Sequence, residues 1–121
     1  MRIYIGHSRE CDFVKELYTP LKNSSLAKNH ELVFPHYKSE KPFSSLNFLK
    51  TCDLMIAEVS FPSTGLGIEL GWADILKVPI VFIYKSSSRI SGSLKAMSEK
   101  FIEYSSKEDL VEKLEKEINV V

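Results

Sequence analysis

The chain is predicted to fold as a doubly wound α/β domain in which helices cover both faces of a five-stranded parallel sheet. Three observations predict it. Short β-branched apolar runs alternate along the chain with stretches of helical periodicity. The central runs, LMIAEV (Leu54 to Val59) and VPIVFIY (Val78 to Tyr84), are apolar at nearly every position, as strands buried on both faces are. A length of 121 residues with 44% hydrophobic content suits one domain, residues 1–121, built around a single core.

The first expected strand is RIYI (Arg2 to Ile5), followed by a loop over Gly6 to Arg9. Glu10 to Asn23 carries Phe13, Val14, Leu17, Tyr18 and Leu21 at helical spacing, with Pro20 placed to kink or end that helix. ELVFP (Glu31 to Pro35) is the second strand, the polar run His36 to Pro42 a covering loop, and Phe43 to Thr51 a short helix. LMIAEV is the third strand. Ser60, Pro62, Ser63 and Thr64 then supply turn and N-cap chemistry for a helix that runs to Lys77. VPIVFIY is the fourth strand, and a Ser-rich loop from Lys85 to Ser93 leads to a short helix ending near Met97. FIEYS (Phe101 to Ser105) is the last strand. Ser106 to Asn119 closes the chain as an amphipathic helix, with Leu110, Val111, Leu114 and Ile118 inward and Ser106 capping ahead of Asp109. Its lysines and glutamates form a solvated face.

The simplest arrangement with right-handed crossovers is the flavodoxin-like, Rossmann-like order 2-1-3-4-5. It sets the Gly6 to Arg9 loop opposite the Ser60 to Gly67 loop across one crevice. Gly65 and Gly67 let a ligand approach the backbone there, and the start of the helix attracts anions through its free N–H groups and its dipole. Glu69 lies about one turn into the helix. Its neighbours at three and four residues are Gly65, Leu66, Trp72 and Ala73, none of which pairs with a carboxylate. Three nearby glycines, Gly65, Gly67 and Gly71, weaken the helix, so the composition has a reason other than propensity.

Sixteen Lys and Arg balance sixteen Asp and Glu, which argues against a nucleic-acid footprint and requires any anion to be bound locally. Cys11 and Cys52 lack metal-type spacing and read as reduced intracellular thiols. The N-terminal apolar run reaches His7 and Arg9 too soon for a signal peptide or a membrane span, so the expected location is the cytoplasm. His7, His30 and His36 form no metal-binding pattern and read as surface or loop residues. Trp72 and the phenylalanines are expected in the core or a dimer interface. Glu58, at the end of a buried strand, has a structural reading as a backbone acceptor at the sheet edge.

The stretch AEVSFPSTGLGIELGWA (Ala57 to Ala73) resembles the nucleoside 2-deoxyribosyltransferase superfamily, most closely its branch of 2′-deoxynucleoside 5′-monophosphate N-glycosidases. The resemblance implies that Glu69, the Glu of ELG, is the nucleophile. It implies that Ser63 and Gly65 bind the 5′-phosphate, that Tyr4 in IYIGHS lines the sugar pocket, and that Ser8 adds a phosphate contact. Ser91 or Ser93 in SRISGSLKAM would reach the phosphate from the neighbouring subunit of a homodimer. No cofactor is implied. Two departures stand out. SLNFL carries Ser45 where the family has an acidic residue, which leaves Glu58 or His36 as candidates to protonate the leaving base. HSRE replaces a Gly-rich, Arg-containing run and offers Arg9 as the nearby guanidinium. The expected activity is hydrolysis of the base–sugar bond of a (deoxy)nucleoside 5′-monophosphate through a glycosyl-Glu69 ester. The alternatives are deoxyribosyl transfer and a non-catalytic nucleotide-binding or sensing protein.

Overall fold

A computed structural model describes residues 1–10, 12–35 and 45–118. Five strands, β1 (Arg2–His7), β2 (Glu31–Val33), β3 (Leu54–Glu58), β4 (Ile80–Lys85) and β5 (Phe101–Tyr104), form one sheet in the order β2-β1-β3-β4-β5. Every neighbouring pair is parallel. The expected fold class and strand order are therefore the observed ones.

Strand alternation divides the sheet into two cores. Ile3, Ile5, Ile56 and Ile83 face a layer made by helices α1 (Val14–Tyr18 continued by Thr19–Lys22), α2 (Ser25–Asn29) and α5 (Lys107–Ile118), which contribute Leu17, Tyr18, Leu21, Leu26, Leu110 and Leu114. Tyr4, Met55, Ala57 and Phe82 face the other layer, where α3 (Ser45–Leu49) and α4 (Thr64–Ile75) supply Leu49, Leu66, Leu70 and Ala73. A short 3-10 helix covers Gly92–Ala96. Among the described residues no helix is long and apolar enough to cross a membrane.

Several boundaries differ from the sequence reading. β1 extends through Gly6 and His7, because both continue its pairing with β3 at Ala57 and Glu58. The first helix, α1, begins later than Glu10 and opens as a π-helical turn (Val14–Tyr18), in which the Thr19 N–H donates to the Val14 carbonyl. It tightens to an α-helical turn over Thr19–Lys22. Pro20 sits at that junction, where its missing N–H costs no regular helical bond. α2 lies in a segment without strong apolar periodicity and is nucleated by Ser24, whose hydroxyl accepts from the Leu26 N–H at 3.2 Å. β2 stops at Val33, two residues short of Pro35, which cannot donate to a ladder. On α5, Ser106 caps by accepting from the Asp109 N–H at 3.1 Å as expected, while Val111 is half-buried and outside the core.

Two local features bring α4 close to β1. At Gly6 a Cβ would stand 2.5 Å from Met55 Cε and 3.2 Å from Leu66 Cδ1, so glycine lets the helix settle onto the strand. At its far end α4 closes with Val78 N–H on the Ala73 carbonyl and Lys77 N–H on that of Asp74, a Schellman arrangement that holds Lys77 at φ 61°.

Candidate active site

β1 and β3 are neighbours whose following segments diverge to opposite sides of the sheet, and a cleft of about 640 Å³ opens above their C-terminal ends. Ser8, Arg9 and Glu10 form one wall, Pro62 to Gly65 another, and Ser45 and Glu69 also line it. The Gly6 to Arg9 and Ser60 to Gly67 segments thus meet as the strand order requires.

Glu69 is 9% exposed because it occupies the inward stripe of α4, Leu66, Glu69, Leu70 and Ala73, at three- and four-residue spacing. A carboxylate in an apolar stripe needs partners from elsewhere. The fully buried Tyr4 of β1 donates its hydroxyl to Glu69 Oε2. Ser45, the first residue of α3, places its Oγ 2.9 Å from the Tyr4 hydroxyl, next to the carboxylate that Tyr4 holds. Burial raises the Glu69 carboxyl above the usual carboxylate range, and the hydroxyls of Ser45 and Tyr4 oppose that rise. Burial, followed by the charge of Glu69, drives the Tyr4 phenol far above its ordinary value, so it stays a proton donor.

The cleft also receives the start of α4. Ser63 is its N-cap and accepts from the Leu66 N–H at 3.4 Å, while the Gly67 N–H donates to the Ser63 carbonyl at 3.0 Å. The amides of Thr64 and Gly65 precede the first intrahelical donor, the Gly67 N–H, and lie at the positive end of the helix dipole. A Cβ on Gly65 would meet only Ser63 Oγ, at 3.9 Å, and one on Gly67 would meet nothing within 4 Å. Packing among the described residues does not demand either glycine.

The remaining sequence candidates divide. Ser8 is 2% exposed and accepts from the Glu10 N–H at 3.1 Å, and Arg9 is exposed on the cleft wall. Gly67 and Ser91 line an adjoining depression of about 240 Å³ behind Pro62 and Ser63, whereas Ser93 lines neither. Glu58 lies on the opposite sheet face from Glu69, where it accepts from the Tyr104 hydroxyl and, at 2.5 Å, from the Ser60 N–H. Strand parity explains this placement: Ala57 faces α4, so Glu58 faces away. His36 lies outside the described residues, as does Cys11; Cys52 is a buried free thiol.

Other cleft residues escaped the sequence reading. His7, read as a surface or loop residue, is 4% exposed, lies 2.5 Å from the Tyr18 hydroxyl through Nε2, stacks on Phe13 and borders the cleft. Continuing the β1 pattern by two residues would have found it. Trp72, assigned to core or interface, also borders the cleft, and so does Glu10. No group of three or more His, Cys, Asp or Glu among the described residues is placed to hold a metal.

A parallel sheet in this order, with a helix N-terminus and a buried carboxylate opening into one cleft, is the deoxyribosyltransferase-like α/β fold. The chain matches the structure of the CMP N-glycosidase BcmB from Clostridium botulinum with a TM-score of 0.67, at 23% identity over 95% of this chain and 99% of that one. It matches a 2-deoxyribosyltransferase from Bacillus psychrosaccharolyticus with a TM-score of 0.63, at 16% identity over 91% and 90% of the two chains. In sequence it is 44% identical over 43 residues to the 5-hydroxymethyl-dUMP N-hydrolase of Rattus norvegicus, a stretch that spans 36% of this chain and 26% of the relative. No protein-family model matches. The structural matches share the fold that the superfamily resemblance implies, and the sequence match adds a short likeness to an N-hydrolase.

Proposed function

We propose that the protein is an N-glycosidase that cleaves the base–sugar bond of (deoxy)nucleoside 5′-monophosphates through a covalent glycosyl-Glu69 intermediate. The observation that carries this reading is Glu69 itself, a buried carboxylate held by Tyr4 beside Ser45 in the cleft that receives the N-terminus of α4. Glu69 lies five residue steps along the helix from Thr64, about 7.5 Å at about 1.5 Å per residue, a rise that admits a sugar between a bound phosphate and an attacking carboxylate. The names of a CMP N-glycosidase and a 5-hydroxymethyl-dUMP N-hydrolase among the similar proteins support the same substrate class.

A Glu69 oxygen forms a bond to C1′ as the C1′–N bond breaks, and the electron pair leaves with the base, which takes up a proton. Water then adds to C1′, the ester breaks, and the carboxylate returns with free base and sugar phosphate as products. Tyr4 orients the nucleophile. Ser63, the Gly65 amide, Ser8 and Arg9 hold the phosphate, whose fixed position keeps C1′ over Glu69. Gly67 leaves room beside them. Ser91 or Ser93 would complete the phosphate site from the second subunit of a homodimer, an arrangement favoured by the exposed Ile75 of α4 and by the exposed Ile68 at the cleft. The protein would work as one domain in the cytoplasm, where Cys52 stays reduced.

The test is a screen of common nucleosides and their 5′-monophosphates for base release, paired with binding titrations. Free base from a monophosphate, with tighter binding than for the matching nucleoside, is expected. Tight binding without release would leave a nucleotide-binding or sensing protein, and release only in the presence of a second base would make it a transferase.

A further inference from the structure

We infer that Ser45 is a positioning residue for Glu69: its hydroxyl extends the Tyr4–Glu69 hydrogen bond into a three-residue chain that holds the carboxylate in the attacking geometry. The inference rests on the proposed glycosidase reading and assigns Ser45 a role other than that of a missing acid.

Tyr4 has one phenolic proton, and it goes to Glu69 Oε2. Ser45 has one as well, and its Oγ stands 2.9 Å from the Tyr4 oxygen. The two hydroxyls therefore form a chain that ends on one carboxylate: Ser45 of α3 meets Tyr4 of β1, and Tyr4 meets Glu69 of α4. Among the described residues, the neighbours of Glu69 at three and four positions on its helix are neutral, and the other charged groups bordering the cleft are Arg9 and Glu10. Its own helix presents Leu66, Leu70, Trp72 and Ala73, and the loop after β1 brings His7, Arg9 and Glu10 to the cleft wall. A buried carboxylate surrounded in this way depends on O–H donors to stay ionised and to stay in one rotamer. A serine at 45 adds a donor without a second negative charge, whereas an acid there would repel Glu69.

Ser45→Ala deletes the hydroxyl at nearly constant volume, and Ser45→Thr keeps it. Two readouts are needed: an NMR titration of the Glu69 side-chain carboxyl in the ligand-free protein, and kcat and KM for the best monophosphate across pH. With Ala, the titration midpoint and the acidic limb of the kcat/KM profile should both move up, because a hydroxyl that favours the charged form is lost. kcat should fall by roughly tenfold to a hundredfold with KM changed less than about twofold, and Thr should restore both readouts. An unmoved midpoint in Ala, or a folded Thr variant that behaves like Ala, overturns the inference. Should wild-type protein release no base at all, the glycosidase reading fails, and the titration alone still decides whether Ser45 controls Glu69.

Discussion

The hydroxyl of Tyr4 donates to Oε2 of Glu69 across 65 residues of sequence. The contact exists because Tyr4 faces α4 from β1 and Gly6, two residues on, lets α4 lie close enough to receive it. Tyr4→Phe keeps the ring and removes the donor. Stability at neutral pH should drop by about 1.5–3 kcal/mol, the usual worth of a hydrogen bond to a charged group. The loss should shrink in acid, where Glu69 is protonated, and urea melts at two pH values check it. Base release should also weaken, with its acidic limb displaced upward.

Glu69→Gln separates stability from activity. Burial raises the Glu69 carboxyl, so the folded state holds this proton more tightly than the unfolded chain does. The stability contribution of the group is then fully present below the unfolded value and lost as pH rises through the raised folded value. Gln never ionises. The variant should match wild type in acid and melt at a higher temperature than wild type at neutral pH. Calorimetry across pH reads the difference, and an unchanged melting temperature at neutral pH would mean that the carboxylate is already fully compensated.

Glu69→Ala addresses the chemistry. Base release should fall by at least about three orders of magnitude, on the scale of a lost nucleophile. Affinity for the intact monophosphate should change little, since phosphate contacts lie at the start of α4. Single-turnover assays and calorimetric titration measure the two effects. Wild-type rates of release in this variant would make the carboxylate structural.

Gly65→Ala tests the phosphate site without disturbing the fold. Among the described residues the added methyl meets only Ser63 Oγ, at 3.9 Å, and alanine favours the helix over glycine by up to about 1 kcal/mol. The variant should therefore be as stable as wild type or more so, yet bind a nucleoside monophosphate about tenfold more weakly or worse, because the methyl occupies the space over the amides. The affinity for the corresponding nucleoside should change less. Equal losses for both ligands would move the phosphate elsewhere.

The strand order, the two crossing loops and the place of Glu69 near a helix start were all legible in the sequence. These features are local: β-branched runs, turn residues such as Pro62 and Ser63, and three- and four-residue spacing act over short stretches of chain, and right-handed crossovers leave few topologies. Ser63 as N-cap is a case in point, since its acceptor role needs only the residues that follow it. What the sequence left undecided was which side chains face one another. His7 looked like a loop residue until pairing with Glu58 extended β1, and Glu58, one residue from Ala57, is carried by strand parity to the far face and tied to Tyr104. The π-helical start of α1 and the separation of Ser91 from the main cleft likewise come from packing. Tyr4, Ser45 and Glu69 lie on three elements whose approach depends on sheet register and on the space left by Gly6. Distances of that kind are set by the whole core at once, so only the tertiary structure could convert a carboxylate in an apolar helix into a hydrogen-bonded group at a cleft.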